Sequence, residues 1–184
     1  DNDDVDLIAA KIVRRFCERT EEYSRTEGIR IVPALIGWKF LEESYAVGPT
    51  PDGRNYGDGI AEHYNAAPGN ALSGPTAVLL SAAKAPLSMA AGTAPIHISL
   101  PSGVFRNSDE GIAVLRALNE AAMQLGILYL NIAIYNEEKL LDAQVHPEKY
   151  EDLIVRVWGF SAKFIDLARE MQDHVISRIR NARL

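Results

Sequence analysis

The sequence predicts an α/β fold, and three observations lead to it. Short β-prone runs at 95–100, 127–134 and 153–157 alternate with helical patterns at 75–83, 108–125, 137–144 and from 166 onward, which is how helices packed on a sheet read in sequence. An amphipathic pattern over residues 5–26 adds a helix ahead of them. At 184 residues, with 47% hydrophobic and 24% charged side chains, the chain has the make-up of one globular domain with a real core.

In the first helix Val5, Ile8, Ala9, Ile12, Val13 and Phe16 form one apolar stripe, with Lys11, Arg14 and Arg15 opposite. Cys17 falls four residues after Val13, at the edge of the stripe, and reads as a buried or half-buried structural thiol. Residues 29–35 are a short β-prone run, read as a strand. Residues 46–75 are dense in Gly, Pro, Asn and Asp, with PDG, GDG and PGN triplets, and predict a long loop of several turns. A loop of that length in a compact domain is usually functional or interfacial. Pro75 suits the first turn of the helix at 75–83.

In the strand at 95–100, alternation sets Ile96, Ile98 and Leu100 on one face and His97 and Ser99 on the other. His97 is the only ionisable residue of that strand. Two roles are open to it: a hydrogen-bonded structural histidine, or a group that touches substrate. Ser108 or Asp109 is positioned to cap the helix at 108–125. The run at 127–134 is apolar enough for burial on both faces. Pro147 marks a break beyond the helix at 137–144. Asp166 is the expected cap of the last helix, whose stripe is Leu167, Met171, Val175 and Ile179. Arg178, Arg180 and Arg183 lie at its C-terminal end, where cations are favoured.

A net charge of −6 argues against nucleic acid or an anionic membrane as partner. No apolar run approaches ~18 residues, so no transmembrane helix is expected. The opening DNDDVD is acidic where a secretory signal would be basic, so no signal peptide is expected. A single cysteine allows no internal disulfide and fits a reducing cytoplasm, the expected location. One Cys and four scattered His give no zinc spacing. P-loop, GxGxxG and GxSxG motifs are absent, as is a cysteine-rich iron–sulfur motif. The adjacent carboxylates Glu42 and Glu43 read as a solvated face. No bound metal or cofactor is expected.

The most informative stretch is Arg156-Val157-Trp158-Gly159-Phe160, within HPEKYEDLIVRVWGFSAKF. An apolar run stops at one glycine held between two aromatics. Taken alone, Gly159 ends a strand at a turn. The stretch resembles the C-terminal signature of the glycyl radical enzymes, the pyruvate formate-lyase-like superfamily, in which a glycine inside Arg-Val-x-Gly-Tyr/Phe stores an unpaired electron. The resemblance runs on through Thr50-Pro51-Asp52-Gly53-Arg54, Gly74-Pro75-Thr76-Ala77 with Ser81 and Lys84, Leu130-Asn131, Leu141-Asp142-Ala143-Gln144, His146-Pro147-Glu148 and Met171-Gln172-Asp173. Each piece is weak alone; their order and number are specific. Departures gather in one place. Trp158 stands where the family has a small residue, Phe160 replaces the commoner Tyr, and residues 94–101 differ from the usual strand. They bear on the substrate more than on the radical.

The resemblance implies the C-terminal part of a ten-stranded α/β barrel, completed by a partner chain, with residues 1–130 as barrel segment and 131–184 as glycyl radical domain. It implies that Gly159 stores the radical, installed by a radical-SAM activating enzyme, while Arg156, Val157, Trp158 and Phe160 hold the loop. A radical on a backbone α-carbon needs that carbon to flatten, which a Cβ would hinder. The family's catalytic cysteine is usually followed two residues later by glutamate; Cys17-Glu18-Arg19 lacks that pattern. The thiol is therefore expected from a larger partner subunit. A split-enzyme subunit is the favoured reading; a spare domain that repairs an oxygen-damaged enzyme, a fragment of a longer protein, and a domain with a vestigial motif are the others. The apolar strands suggest hydrocarbon addition to fumarate, with dehydration or decarboxylation of a small organic compound as nearly equal alternatives.

Overall fold

The computed structural model describes residues 2–37, 42–157 and 159–180, with only the backbone of Arg180. Expectations on Trp158, Arg183 and the Arg180 side chain lie outside the described residues.

Helix α1 (Asp3–Glu27) starts where the Asn2 side chain accepts from the Asp4 and Val5 amides, and stops at Gly28, whose φ of 66° reverses the chain. The stripe expected to face a core does not do so. Val13 and Cys17 are buried, but Val5, Ile8, Ile12 and Phe16 are 60%, 61%, 64% and 47% exposed. The helix is turned by its polar contacts: the Asp6 carboxylate accepts from Lys84 Nζ and Ser81 Oγ, each at 2.7 Å. This brings the Asp6–Ala10–Val13–Cys17 face against the first core instead.

Residues 29–35 make a single bridge, Ala34 to Thr93, rather than a strand. Pro33 has no N–H to extend a ladder. It gives its carbonyl to the Gly92 amide at 2.8 Å, an approach only glycine permits, because a Cβ there would lie 2.8 Å from that oxygen. A short helix, α2 (Ser44–Val47), precedes the long turn-rich segment. Within it Arg54 donates to the carbonyls of Asp58 (2.7 Å) and Gly48, so this cation braces its own loop.

Helix α3 (Gly74–Ala83) leads to strand β1 (Pro95–Pro101), helix α4 (Ser108–Gln124) and strand β2 (Tyr129–Tyr135). The strands pair in parallel from Pro95↔Tyr129 to Pro101↔Tyr135, so α4 is a crossover helix. Its cap is Asn107, whose Oδ1 accepts from the Glu110 amide at 2.9 Å, not Ser108 or Asp109. Strand β1 is buried almost throughout. Strand β2 buries only Ala133 and departs from the expected two-sided burial, because β1 is its one neighbour among the described residues.

Helix α5 (Glu137–Val145), strands β3 (Ile154–Val157) and β4 (Phe160–Lys163), and helix α6 (Arg169–Arg180) follow. The antiparallel β3–β4 pair makes a hairpin in which the sequence had indicated only the first strand. Asp166 lies in a 3-10 turn and does not cap α6; extended backbone at Leu167 (φ −75°, ψ 144°) separates the two. Two apolar clusters result. One joins α1, α3, α4 and β1; the other joins Leu140, Ala143, Val155, Val157, Phe164, Val175, Ile176 and Ile179.

Candidate functional site: the cleft at Gly159

The last pair of the hairpin is Val157↔Phe160, and Gly159 lies in the turn that joins its two strands. Gly159 has a φ of 110°, a conformation side chains rarely adopt, and among the described residues beyond its own chain neighbours none comes within 4 Å of the place a Cβ would occupy. The hairpin is held from behind. Val157 is buried in the second core. Tyr135 Oη accepts from the Arg156 amide at 2.8 Å and donates to the Arg156 carbonyl at 3.1 Å. The Arg156 side chain reaches Ser161 Oγ at 3.4 Å.

In front of the hairpin a cleft opens, lined by Gly159 and Phe160 on one side and by His63, Pro95, His97 and Tyr129 on the other. The parallel register puts His97 and Tyr129 on the same face of the β1–β2 sheet. The His97 ring packs against that of His63, centroids 4.7 Å apart, and lies 6.3 Å from that of Tyr129. Its backbone amide donates to Asn65 Oδ1 at 2.9 Å.

Behind His97 lies a buried carboxylate. Glu62 is 3.9 Å from His97 Nδ1, accepts from His174 Nε2 at 3.3 Å and pairs with Arg178 Nε at 3.6 Å. Burial alone would push the Glu62 carboxyl up; the His174 hydrogen bond and the Arg178 charge outweigh it and bring it to about 2. Burial pushes His97 down to about 4, and the neighbouring Glu62 offsets only part of that. At neutral pH the site therefore pairs an anionic carboxylate with a neutral imidazole. Arg178, expected only to favour a helix terminus, works here instead.

The structure thus brings Gly159, Phe160 and His97 to one cleft and sets Arg156 and Val157 in the strand behind it. Sequence reasoning missed Glu62, His63, Tyr135 and His174. The turn-rich loop that holds Glu62 and His63 stood out as functional or interfacial, but no spacing ties those residues to His97 or to α6.

Residues 60–165 match the family described as "Glycine radical". Among solved structures, the glycerol-bound B12-independent glycerol dehydratase from Clostridium butyricum is 28% identical, with a TM-score of 0.86 over 97% of this chain and 23% of that one. A glycyl radical enzyme from Archaeoglobus fulgidus is 30% identical, with a TM-score of 0.87 over 97% and 23%. A Roseburia inulinivorans structure described for 1,2-propanediol dehydration is 31% identical, with a TM-score of 0.71 over 76% and 17%. The chain therefore spans about a quarter or less of the length of these solved proteins. Its α/β fold is that of the C-terminal region of their barrels.

Proposed function

This chain belongs to the glycine radical family, and from that premise we propose that it is the radical-bearing subunit of a glycyl radical lyase, with the unpaired electron stored on the α-carbon of Gly159. The setting of Gly159 carries the reading. A tight turn at positive φ explains why the residue is glycine, but not why it faces an open cleft beside a neutral histidine backed by a buried carboxylate. A bare α-carbon with free space on its side-chain face is what a hydrogen-atom exchange with a thiol needs. Arg156, Val157, Trp158 and Phe160 hold the loop.

A radical-SAM activase removes a hydrogen atom from Gly159. The glycyl radical then takes a hydrogen atom from a cysteine thiol. Cys17, the one cysteine of the chain, is 2% exposed in α1 and packs in the first core, and burial pushes its thiol up. A larger subunit carrying the catalytic cysteine loop supplies the thiol. The edge of β2 that is unpaired among the described residues and the exposed stripe of α1 support such a partner. The two apolar clusters support the division into a barrel segment, 1–130, and a radical domain, 131–184, with β2 shared between them.

For the reaction, dehydration of a small hydroxylated compound is favoured over hydrocarbon addition to fumarate or decarboxylation. Two of the solved relatives are described for dehydration, and the cleft is walled by imidazoles as well as apolar groups. The thiyl takes a hydrogen atom from a hydroxyl-bearing carbon. The neighbouring hydroxyl leaves with a proton as water, and the product radical recovers its hydrogen atom from the thiol. His97 lies where it can contact a substrate hydroxyl. Because oxygen cleaves the backbone at such a radical, the protein belongs in the cytoplasm of an anaerobe.

The test is an anaerobic EPR spectrum of the chain with its partner and an activase already proven on another glycyl radical enzyme, beside Gly159→Ala. A doublet lost in the variant, and a fragment ending before Gly159 after exposure to air, are the expected results. No signal from the unmodified chain would overturn the reading. Restoration of an oxygen-damaged full-length enzyme, in place of a dedicated partner, would make the chain a repair domain.

A further inference from the structure

His63 is the least comfortable residue near the cleft. Its φ of 46° lies in the left-handed region that L side chains seldom occupy. Neither ring nitrogen has a hydrogen-bond partner among the described residues, and neither is open to solvent. Unpaired buried polar atoms are rare because each costs its lost hydration. A strained backbone and an unpaired ring at one residue, on the wall that faces Gly159, indicate a residue kept for something other than stability.

We propose that His63 is a specificity-determining residue of the Gly159 cleft that recognises a substrate hydroxyl, in preference to a carboxylate or a hydrocarbon. Burial, opposed by Glu62, lowers the pKa of His63, so its imidazole is neutral at physiological pH and offers one donor and one acceptor. A hydroxyl is likewise donor and acceptor. A carboxylate only accepts, and it would meet the ionised Glu62 nearby. A hydrocarbon would leave both nitrogens unpaired. The ring must turn about its soft χ2 torsion to bring a nitrogen into the cleft it already lines. Among the described residues it has no hydrogen bond to break in doing so, and the packed His97 ring supplies a second polar group beside it.

The inference rests on the cleft being the substrate site, but its test needs no radical, so it can fail while the EPR result stands. The chain, labelled with 15N and bound to its unlabelled larger subunit, is titrated with glycerol and separately with fumarate and toluene, while long-range 15N–1H spectra follow the four histidine rings. The partly exposed His146 serves as the internal reference. Glycerol is expected to shift the His63 and His97 ring nitrogens saturably, leaving His146 unmoved, with fumarate and toluene failing to do so. His63→Gly, which relieves the backbone, is expected to fold with an unchanged or higher Tm and to weaken glycerol at His97 at least tenfold. His63→Asn, which tolerates the same φ and keeps a polar amide, is expected to retain part of the binding. The proposal is overturned by no glycerol response, by an equal response to fumarate or toluene, or by His63→Gly binding glycerol as tightly as the unmodified chain. A large loss of Tm in His63→Gly would equally overturn it, by making His63 a structural residue.

Discussion

The two apolar clusters are built on different terms. Around the hairpin, every long side chain that the sequence pattern sends inward finds a neighbour: Phe164 is 0% exposed, and Val155, Val157, Val175 and Ile179 are each 1% exposed. In the first region, α3, α4 and β1 are well packed, but the broadest apolar stripe of α1 faces outward and one edge of β2 has no strand neighbour among the described residues. The hairpin region closes a core of its own, while the first region leaves a broad apolar stripe exposed. The part that presents Gly159 thus carries a packed core of its own, while the first region keeps apolar side chains at its surface.

The sharpest way to break this contrast is to truncate one phenylalanine in each region. Phe164→Ala should cost about 3–5 kcal/mol through its cavity, read as a fall in the urea midpoint at constant m. If it costs no more than a surface change, the hairpin unit has no core of its own. Next in size is acid. The folded pKa of Glu62 (about 2) lies below its ordinary 4.5, so its contribution is present above pH 4.5 and is lost as pH falls toward 2. His97, lowered from 6.5 to about 4, likewise disfavours protonation in the folded state, so stability begins to fall below pH 6.5. The Glu62 part should reach on the order of 3 kcal/mol. Since His174 and Arg178 lie on α6 and Glu62 does not, acid should loosen α6 from the sheet before either core melts. Hydrogen exchange against pH measures this, and simultaneous loss of all protection would contradict it.

A smaller effect is expected at the brace behind the hairpin. Tyr135→Phe leaves the Arg156 N–H and C=O without their phenol partner and should cost about 1–3 kcal/mol. Faster exchange of the Arg156 amide than of the Leu118 amide would locate the loss, and uniform exchange would remove Tyr135 as a positioning residue. Smallest of all, Phe16→Ala should change the stability of the chain by no more than about 0.5 kcal/mol. Paired with Ile12→Ser, it should still weaken co-purification with the proposed larger subunit. Unaltered association would mean that the α1 stripe is not the covered surface.

Much of the element order was legible because it rests on local signals. Asn136 and Pro75 sit at helix starts, Gly28 at a helix end, and the 95–100 and 127–134 runs are spaced for a strand–helix–strand unit. The errors also share a cause. Asn107 displaced the expected Ser108 or Asp109 cap because position along one helix turn is decided by backbone geometry. Strand β4 was overlooked because Phe160-Ser161-Ala162-Lys163 is a strand only by pairing with β3. The α1 stripe was assigned inward because hydrophobic periodicity records that a face is apolar, not what covers it.

By itself the sequence determined the α/β class, the glycine between two aromatics and the order of motifs that identifies the family, since these depend on side-chain pattern along the chain. Only the tertiary structure decided what Gly159 faces. His63 and His97, Tyr135 and Arg156, and Glu62 with His174 and Arg178 are brought together by a loop, a parallel sheet and a helix packed across it. The charge and polarity of that site come from burial and long-range contact, which residues distant in sequence acquire only when the chain folds.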